Sequence, residues 1–334
     1  MDASVIVDVA GGQIGGAARF RRELVRYLEH TGRMDVGIIG AARRLDPAWL
    51  VRREVACRSR SRRVALNNVG FMVPGGERWT LLGNALHFLT DREIAVLDPS
   101  LRPVAGRQAT VVRMAARRSD VLIAPCSAMA ERIAHIMPTV AGRLAVRMHP
   151  VSSVSLRPGL RTDPLILCPI IFEAYKHMPE RLAEWLAATS GRIDPSVRMI
   201  VTAGASEVPA PLARSPRLAL VGRLDQAKLA RLWARSRAVY FPTGLESFGF
   251  PLAEARASGL PVIARDTAQN REIAGPALCG FRVGDAGSLL AATESAVTRN
   301  FEPDPAAFDP AAYFDWMLGA SDSSRPTSTV TGGG

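Results

Sequence analysis

The stretch that most constrains the fold of this chain is residues 237–266, which reads RAVYFPTGLESFGFPLAEARASGLPVIARD. Apolar and aromatic residues at 238–241 suit a buried strand. After a loop, Pro251 stands at the helix position that tolerates proline best, and Gly259 stands where a left-handed cap ends a helix. A second apolar run at 261–264 follows at once. This order predicts a strand–loop–helix–strand unit of a parallel sheet, in which ligands bind beyond the carboxyl ends of the strands.

Two carboxylates lie in that ligand-binding place: Glu246 in the loop and Glu254 in the first turn of the helix, with seven residues between them. The backbone N–H groups around Phe248 and Gly249 stand at the helix N-terminus, which suits a phosphate. Gly249 lacks a Cβ, so the chain can approach such a group closely. A sugar joined to a nucleoside diphosphate needs both an anion cradle and carboxylates for its hydroxyls. The alternative is that Glu254 only complements the helix dipole and Glu246 is solvated.

The segment ESFGFPLAE resembles the E-x7-E signature of the retaining glycosyltransferases of family 4. That family has the GT-B architecture, an α/β fold of two Rossmann-like domains facing each other across a cleft. The resemblance implies that a sugar moves from a nucleotide-sugar donor to an acceptor hydroxyl with retention, and without an essential divalent metal. On the family's pattern Glu254 binds the ribose hydroxyls and Glu246 the hydroxyls of the transferred sugar. The amides of Phe248 and Gly249 would meet the donor phosphates.

Further site residues follow from the same resemblance. Gly15 and Gly16, in the loop after the first strand, match a glycine pair near the donor phosphate, with Arg19 as a looser candidate. Lys176 matches a lysine that grips the donor pyrophosphate. His87 is the match for a histidine of the first domain that reaches the donor sugar. The alternative for His87 is a satisfied core histidine.

The chain departs from the family's pattern at one place. An arginine is expected a few residues before the lysine, but Ile170, Ile171 and Phe172 occupy those positions. Arg223, at the end of another predicted strand, is a candidate to supply a positive charge instead. His149, in the turn that closes the first domain, is interpreted as structural rather than catalytic.

The chain is predicted to form two domains, at residues 1–155 and 156–320, followed by a disordered tail at 321–334. The stretch SSVSLRPGLRTDP has the serine, proline and glycine content of an interdomain linker. Residues 309–319 are predicted to form a final helix that crosses back onto the first domain. The region from about residue 41 to 76 is predicted to be irregular, with the basic run at 58–63 in a solvated loop, and the alternative for that run is an interface. Ser127 is predicted to cap a helix.

The formal net charge of +11 belongs entirely to the first half of the chain. Residues 1–160 hold 24 basic and 13 acidic side chains, whereas the remainder holds 18 of each. Such a field favours an anionic membrane surface or a phosphorylated, lipid-linked acceptor, and the alternative is coding bias with ordinary solubility. A nucleic-acid partner is not expected, because the basic half has few interleaved aromatic residues.

Other features narrow the setting. The four cysteines are widely spaced, which predicts reduced thiols in a cytoplasmic protein, peripheral to the inner face of the membrane if the basic half binds lipid. The sequence shows no Asp-x-Asp pair and no cluster with metal-ligand spacing, so no metal or cofactor is expected besides the donor. Two rival functions stay open: a sugar-nucleotide epimerase on the same fold, and a catalytically weak nucleotide-sugar-binding partner, which the missing arginine suggests.

Overall fold

Two six-stranded sheets form the framework of the molecule in a computed structural model that describes residues 3–12, 15–152 and 163–319. The strands of the first sheet are β1 to β6: Val5–Asp8, Val36–Ile39, Arg62–Ala65, Glu77–Leu81, Val121–Ala124 and Leu144–Val146. Those of the second are β7 to β12: Leu165–Cys168, Arg198–Val201, Leu218–Leu220, Ala238–Phe241, Val262–Arg265 and Leu278–Phe281. Every neighbouring pair of strands is parallel, as expected when helices form the connections.

Helices cover both sheets. In chain order, α1 to α12 are Gly15–Thr31, Pro47–Ala56, Asp91–Ala95, Ala109–Ala116, Ser127–Ile136, Met178–Thr189, Ala210–Ala213, Gln226–Arg235, Phe250–Ser258, Ala268–Ala274, Ala286–Thr298 and Pro310–Leu318. The first sheet has the order β2-β1-β3-β4-β5-β6 and the second the order β12-β11-β10-β7-β8-β9. This two-sheet α/β architecture confirms the predicted fold class. No helix in the described part of the chain is both long and apolar enough to cross a bilayer.

The strand–helix units form where the sequence pattern places them. Strand β1 is buried along its whole length, and α1 buries the apolar residues that recur at helical spacing, Phe20, Leu24 and Tyr27. Strand β10 is likewise fully buried, and Gly259 ends α9 in a left-handed conformation with φ +65°. Glu254 lies in the second turn of α9 and not in the first, because the helix begins at Phe250.

The region predicted to be irregular instead contains α2 and β3. Asp46 caps α2 by accepting a hydrogen bond from the N–H of Trp49, and Pro47 occupies the first helical position. Arg63, expected in a solvated loop, is fully buried in β3. Its guanidinium donates hydrogen bonds to the carbonyls of Val73 and Gly75 at 2.9 and 2.7 Å. The prediction was wrong because an arginine whose charge is satisfied inside the fold cannot be told from a solvated one by residue type.

The helix α12 packs on the first domain, against α1. The ring of Phe314 lies 5.6 Å from that of Phe20, and Tyr27 donates a hydrogen bond to Asp315. Just before this helix, the carbonyl of Phe308 accepts a hydrogen bond from the N–H of Val151 at 3.0 Å. The predicted domain boundary at 155/156, most of the linker and the tail at 321–334 lie outside the described residues.

Candidate functional site

A cleft of about 580 Å³ separates the carboxyl ends of the two sheets. Its first wall comes from the loops after β1, β3 and β4 and from the start of α1. Its second wall comes from the segment after β7 and from the loop between β10 and α9. Six of the predicted site residues line this cleft, together with the looser candidate Arg19: Gly15, Gly16, Lys176, Glu246, Phe248 and Gly249. The remaining three, His87, Glu254 and Arg223, do not.

Glu246 and Lys176 form an ion pair in the second wall. The Lys176 Nζ lies 3.2 Å from the Glu246 Oε1, and the two side chains are 13% and 21% exposed. Tyr175 stands beside them, with its ring 5.7 Å from the same Nζ. Burial, and secondly the charge of Glu246, raise the pKa of Tyr175 above its usual range, so this phenol stays protonated. The pair places one cation and one carboxylate at the mouth of the cleft.

The loop before α9 presents backbone donors to the cleft. Gly249 has φ +87°, and a Cβ there would stand 3.0 Å from both Leu252 Cδ1 and Phe241 Cε1, so only glycine fits. Among the described residues, none accepts a hydrogen bond from the N–H of Phe248 or Gly249. The loop is held by Gln269, whose Nε2 donates to the Glu246 carbonyl at 3.2 Å. These unpaired donors at a helix N-terminus suit an anion.

The glycine pair of the first domain faces the second domain at short range. A Cβ on Gly16 would stand 3.1 Å from Phe250 Cε2, and one on Gly15 would stand 4.0 Å from Ile171 Cδ1. Gly15 also has φ +64°, which favours glycine. The apolar side chain of Ile171 therefore lies against the glycine loop. Ile171 belongs to the segment 170–172, where the family resemblance predicts an arginine.

Glu254 lies beside a second, smaller cavity of about 60 Å³. Its Oε2 accepts a hydrogen bond at 2.8 Å from Nη1 of Arg19, which belongs to the first domain. The two side chains are 14% and 19% exposed. Burial raises the pKa of Glu254, while the guanidinium of Arg19 opposes that rise. The second motif carboxylate is thus paired across the domain interface, and Arg19 reaches both cavities.

Two buried histidines occupy different places. His87 sits in the short 3₁₀ helix Ala85–Phe88, behind the cleft wall, where burial and secondly Arg113 lower its pKa to about 4. His149 lines the cleft, with its ring centroid 4.8 Å from that of Phe248 and stacked at 5.5 Å on Phe250. Burial lowers the pKa of His149 to about 3. Both imidazoles are therefore neutral at pH 7, and the one that reaches the cleft is the one interpreted from sequence as structural.

Arg223 is exposed and lines neither cavity. Among the described residues, the arginines that line the main cleft are Arg19 and Arg21, both from α1. Of these, Arg21 donates from Nη1 to the carbonyl of Ala41 at 3.0 Å. The structure therefore brings positive charge to the cleft from the first domain rather than from the loop that carries Arg223.

Three asparagines of the first wall were not identified from sequence. Asn67 donates from Nδ2 to the buried Asp8 at 2.9 Å, and Asn68, with φ +68°, accepts a hydrogen bond from the N–H of Gly83 at 2.7 Å. Asn84 accepts one from the N–H of Leu86. The signal was the pair of asparagines directly after β3, at the carboxyl edge of the sheet. It was missed because β3 itself was not predicted.

Within residues 3–12, 15–152 and 163–319, no group of three His, Cys, Asp or Glu side chains is arranged to hold a metal ion. The ion pair Lys176–Glu246 lies at the main cleft, and the pair Arg19–Glu254 lies beside the smaller cavity.

Residues 173–299 match a protein-family model described as "Glycosyl transferases group 1". The match covers less than half of the chain and includes Lys176, both motif carboxylates and α9. A comparison with curated protein sequences finds no significant match.

Solved structures resemble the chain over nearly its whole length. Sucrose-phosphate synthase from Thermosynechococcus elongatus is 14% identical, with a TM-score of 0.64 over 96% of this chain and 95% of that one. WaaG, a glycosyltransferase involved in lipopolysaccharide biosynthesis, is 13% identical, with a TM-score of 0.65 over 95% and 100%. A UDP-forming α,α-trehalose-phosphate synthase from Burkholderia vietnamiensis is 11% identical, with a TM-score of 0.58 over 92% and 94%. These likenesses confirm the GT-B fold, and the family match supports a glycosyltransferase.

Proposed function

We propose that this protein is a retaining glycosyltransferase of family 4, which moves a sugar from a nucleotide-sugar donor to an acceptor hydroxyl. The observation that carries the proposal is the placement of the E-x7-E segment. Glu246 and the free amides before α9 face a cleft between two sheets, within the residues that match the glycosyl transferase model. A helix N-terminus, a lysine and a carboxylate are together the groups that a sugar diphosphate requires.

In this proposal the donor lies along the second wall. Glu246 accepts hydrogen bonds from hydroxyls of the transferred sugar, and Glu254 accepts those of the ribose. As the glycosidic bond breaks, negative charge grows on the departing diphosphate. Lys176 and the amides of Phe248 and Gly249 stabilise that charge. Both buried histidines are neutral and neither is required as a base, because the departing phosphate takes the acceptor proton on the same face.

The acceptor lies against the first wall. That wall presents amide side chains at Asn67, Asn68, Asn84 and Gln108, beside apolar residues such as Leu86. Amides bind hydroxyls through neutral hydrogen bonds, so we expect an acceptor that is uncharged next to its reacting hydroxyl. A glycan, a polysaccharide end or the sugar of a lipid-linked intermediate has this chemistry.

Calorimetric titration with UDP, GDP, dTDP and ADP tests the donor site. We expect one nucleotide to bind, and Glu254→Ala to weaken its binding by about 1.5–3 kcal/mol, the range for hydrogen bonds to a charged group. Glu294→Ala is the matched control, because Glu294 is an exposed helical glutamate of the same domain and lines neither cavity. Unchanged affinity in Glu254→Ala would remove this carboxylate from the donor site.

Turnover is tested with the only two lysines of the chain, Lys176 and Lys228. Lys176→Met is expected to lower kcat by about 10²–10³-fold, the usual loss when one preorganised donor to a developing anion is removed. Lys228→Met is the control, since Lys228 is 65% exposed and pairs with the exposed Asp225. Equal rates for the two variants would contradict the assigned role of Lys176.

The two rival functions predict different products. An epimerase would convert the sugar nucleotide without any acceptor, so incubation with donor alone separates it from a transferase. A catalytically weak binding partner would bind the nucleotide without turnover across many acceptors. The apolar residues at 170–172 are the feature that favours this second rival.

We also propose that the first domain meets an anionic membrane surface on the cytoplasmic side. Its exposed residues between the fourth and fifth strands include four arginines and two apolar side chains: Arg102, Arg107, Arg117, Arg118, Val111 and Met114. Sedimentation with vesicles containing anionic lipid should show binding at low salt that weakens at moderate salt. Replacing the four arginines by glutamine should abolish it, and absence of binding at both salt concentrations would overturn the proposal.

A further inference from the structure

The two motif carboxylates have cationic partners from opposite domains. Glu246 pairs with Lys176 of its own domain, whereas Glu254 pairs with Arg19 of the first domain. The second pair joins residues 235 positions apart in sequence and is partly shielded from solvent on both sides. A carboxylate required for donor hydroxyls is therefore already engaged, by a guanidinium, in the structure without ligand.

The same arginine stands between the two cavities. Only Arg19 and Phe250 line both the cleft of about 580 Å³ and the cavity of about 60 Å³ among the described residues. The smaller cavity reaches from Glu254 to Gln226, Leu229 and Ala230 of α8. It has room for only a few water molecules and is too small for a nucleoside. The side chains of Arg19 and Phe250 separate the two cavities. A ligand that occupies both cavities must therefore displace these side chains.

We propose that Arg19 is a ligand of the donor diphosphate that is held on Glu254 until the donor binds. This inference rests on the proposed function. On binding, the ribose hydroxyls replace Arg19 at Glu254, and the freed guanidinium turns into the main cleft to contact the diphosphate. The segment Ile170, Ile171 and Phe172 supplies no cation there, so Arg19 provides from the first domain the charge that this segment lacks.

The replacement of Arg19 at Glu254 is favoured by a ligand that has both hydroxyl groups and an anionic phosphate. Separating a shielded carboxylate from a guanidinium is costly unless each finds a new partner. A nucleoside offers hydroxyls to Glu254 but no anion to Arg19, whereas a nucleoside diphosphate offers both. Arginine suits the role because its planar guanidinium binds phosphate oxygens through two parallel hydrogen bonds.

The test compares a nucleoside with its diphosphate, using the base that binds best in the nucleotide panel. In Arg19→Ala we expect diphosphate affinity to fall about tenfold to a hundredfold, the range for losing a charged hydrogen bond. Nucleoside affinity should rise in the same variant, because Glu254 no longer has to be released. Arg19→Lys should keep part of the diphosphate affinity, since an ammonium binds phosphate without the bidentate geometry.

Arg44→Ala controls for the loss of one positive charge, because Arg44 is exposed in the same domain and lines neither cavity. Its affinities should match the wild type, and thermal unfolding of each variant checks the fold. A rise in both affinities in Arg19→Ala would make Arg19 a block only, and a fall in both would make it a structural support. No change in either would remove it from the site, and each of these three results overturns the proposal. Failure of the wild type to bind any nucleotide would instead overturn the proposed function.

Discussion

Each half of the molecule is built on a sheet of six parallel strands, but the two halves have very different interiors. In the first, charged side chains are deeply buried: Asp8, Arg33, Arg53, Glu54 and Arg63. In the described part of the second, the deeply buried polar residues are neutral: Thr189, Ser236, Thr243, Ser258, Asn270 and Thr293. Because a buried charge is tolerated only with partners, the first half depends on specific contacts where the second depends on apolar packing.

The buried network of the first half positions the cleft wall. Asp8, at the end of β1, accepts hydrogen bonds from the N–H of Ala10, from Trp49 and from Asn67, and pairs with Arg53. Arg53 also donates to the carbonyls of Val69 and Gly70. One ion pair therefore fixes two loops that line the cleft, whereas in the second half the neutral amide of Gln269 holds the loop before α9.

The largest expected effect comes from breaking that ion pair. Arg53→Met keeps much of the side-chain volume but leaves Asp8 buried without its cation, so we expect the free energy of unfolding to fall by about 3–5 kcal/mol. Hydrogen exchange followed by mass spectrometry can assign the loss to β1 and β3. In the double variant Asp8→Asn/Arg53→Met much of the loss should be recovered, because the remaining amide is neutral. A single variant as stable as the wild type would show that the network does not support the first half.

Acid should destabilise the first half in particular. The pKa values of His87 and His149 are lowered to about 4 and about 3 by burial, well below the ordinary value of 6.5. Between pH 6.5 and those values the unfolded chain binds protons that the folded protein does not. Stability is therefore full above the ordinary pKa and decreases as pH falls, by up to about 1.4 kcal/mol per pH unit for each histidine.

The variant His149→Phe isolates one of these contributions, because a phenyl ring suits the contacts with Phe248 and Phe250. Urea unfolding between about pH 6 and 4.5 should give a slope shallower by about 1 kcal/mol per pH unit. The control is His135→Gln, which changes an exposed histidine. An unchanged slope in His149→Phe would mean that this imidazole is protonated in the folded protein.

The smallest effect is expected for a neutral contact in the second half. The Tyr240 hydroxyl, on a fully buried side chain, donates to the carbonyl of Arg181 at 2.9 Å. Tyr240→Phe removes this one hydrogen bond, so the free energy of unfolding should fall by about 0.5–1.5 kcal/mol. Urea unfolding at neutral pH measures it. A loss as large as that in Arg53→Met would contradict the contrast between the two interiors.

The same contrast explains what the sequence could predict. In the second half, proline and glycine stand at the ends of apolar runs. The local sequence therefore predicts both the strand–helix unit and its cleft-facing loop. In the first half, α2 and β3 contain the charged residues Arg53 and Arg63, which are typical of a solvated loop. For this reason neither element was predicted from sequence. The pair Arg19–Glu254 could not be predicted from local sequence either, because these residues meet only where the two domains face each other.

The contact between Val151 and Phe308 gives the relative motion of the domains a definite geometry. The chain passes between the halves twice, after Ser152 and again before α12, and this hydrogen bond ties the two passages together. A single connecting segment would allow the two domains to rotate relative to each other about the axis of that segment. Two chain segments joined side by side act as a hinge, which permits rotation about one axis and resists twisting. We therefore expect any widening of the cleft that admits a donor to rock the domains about this axis rather than to twist them.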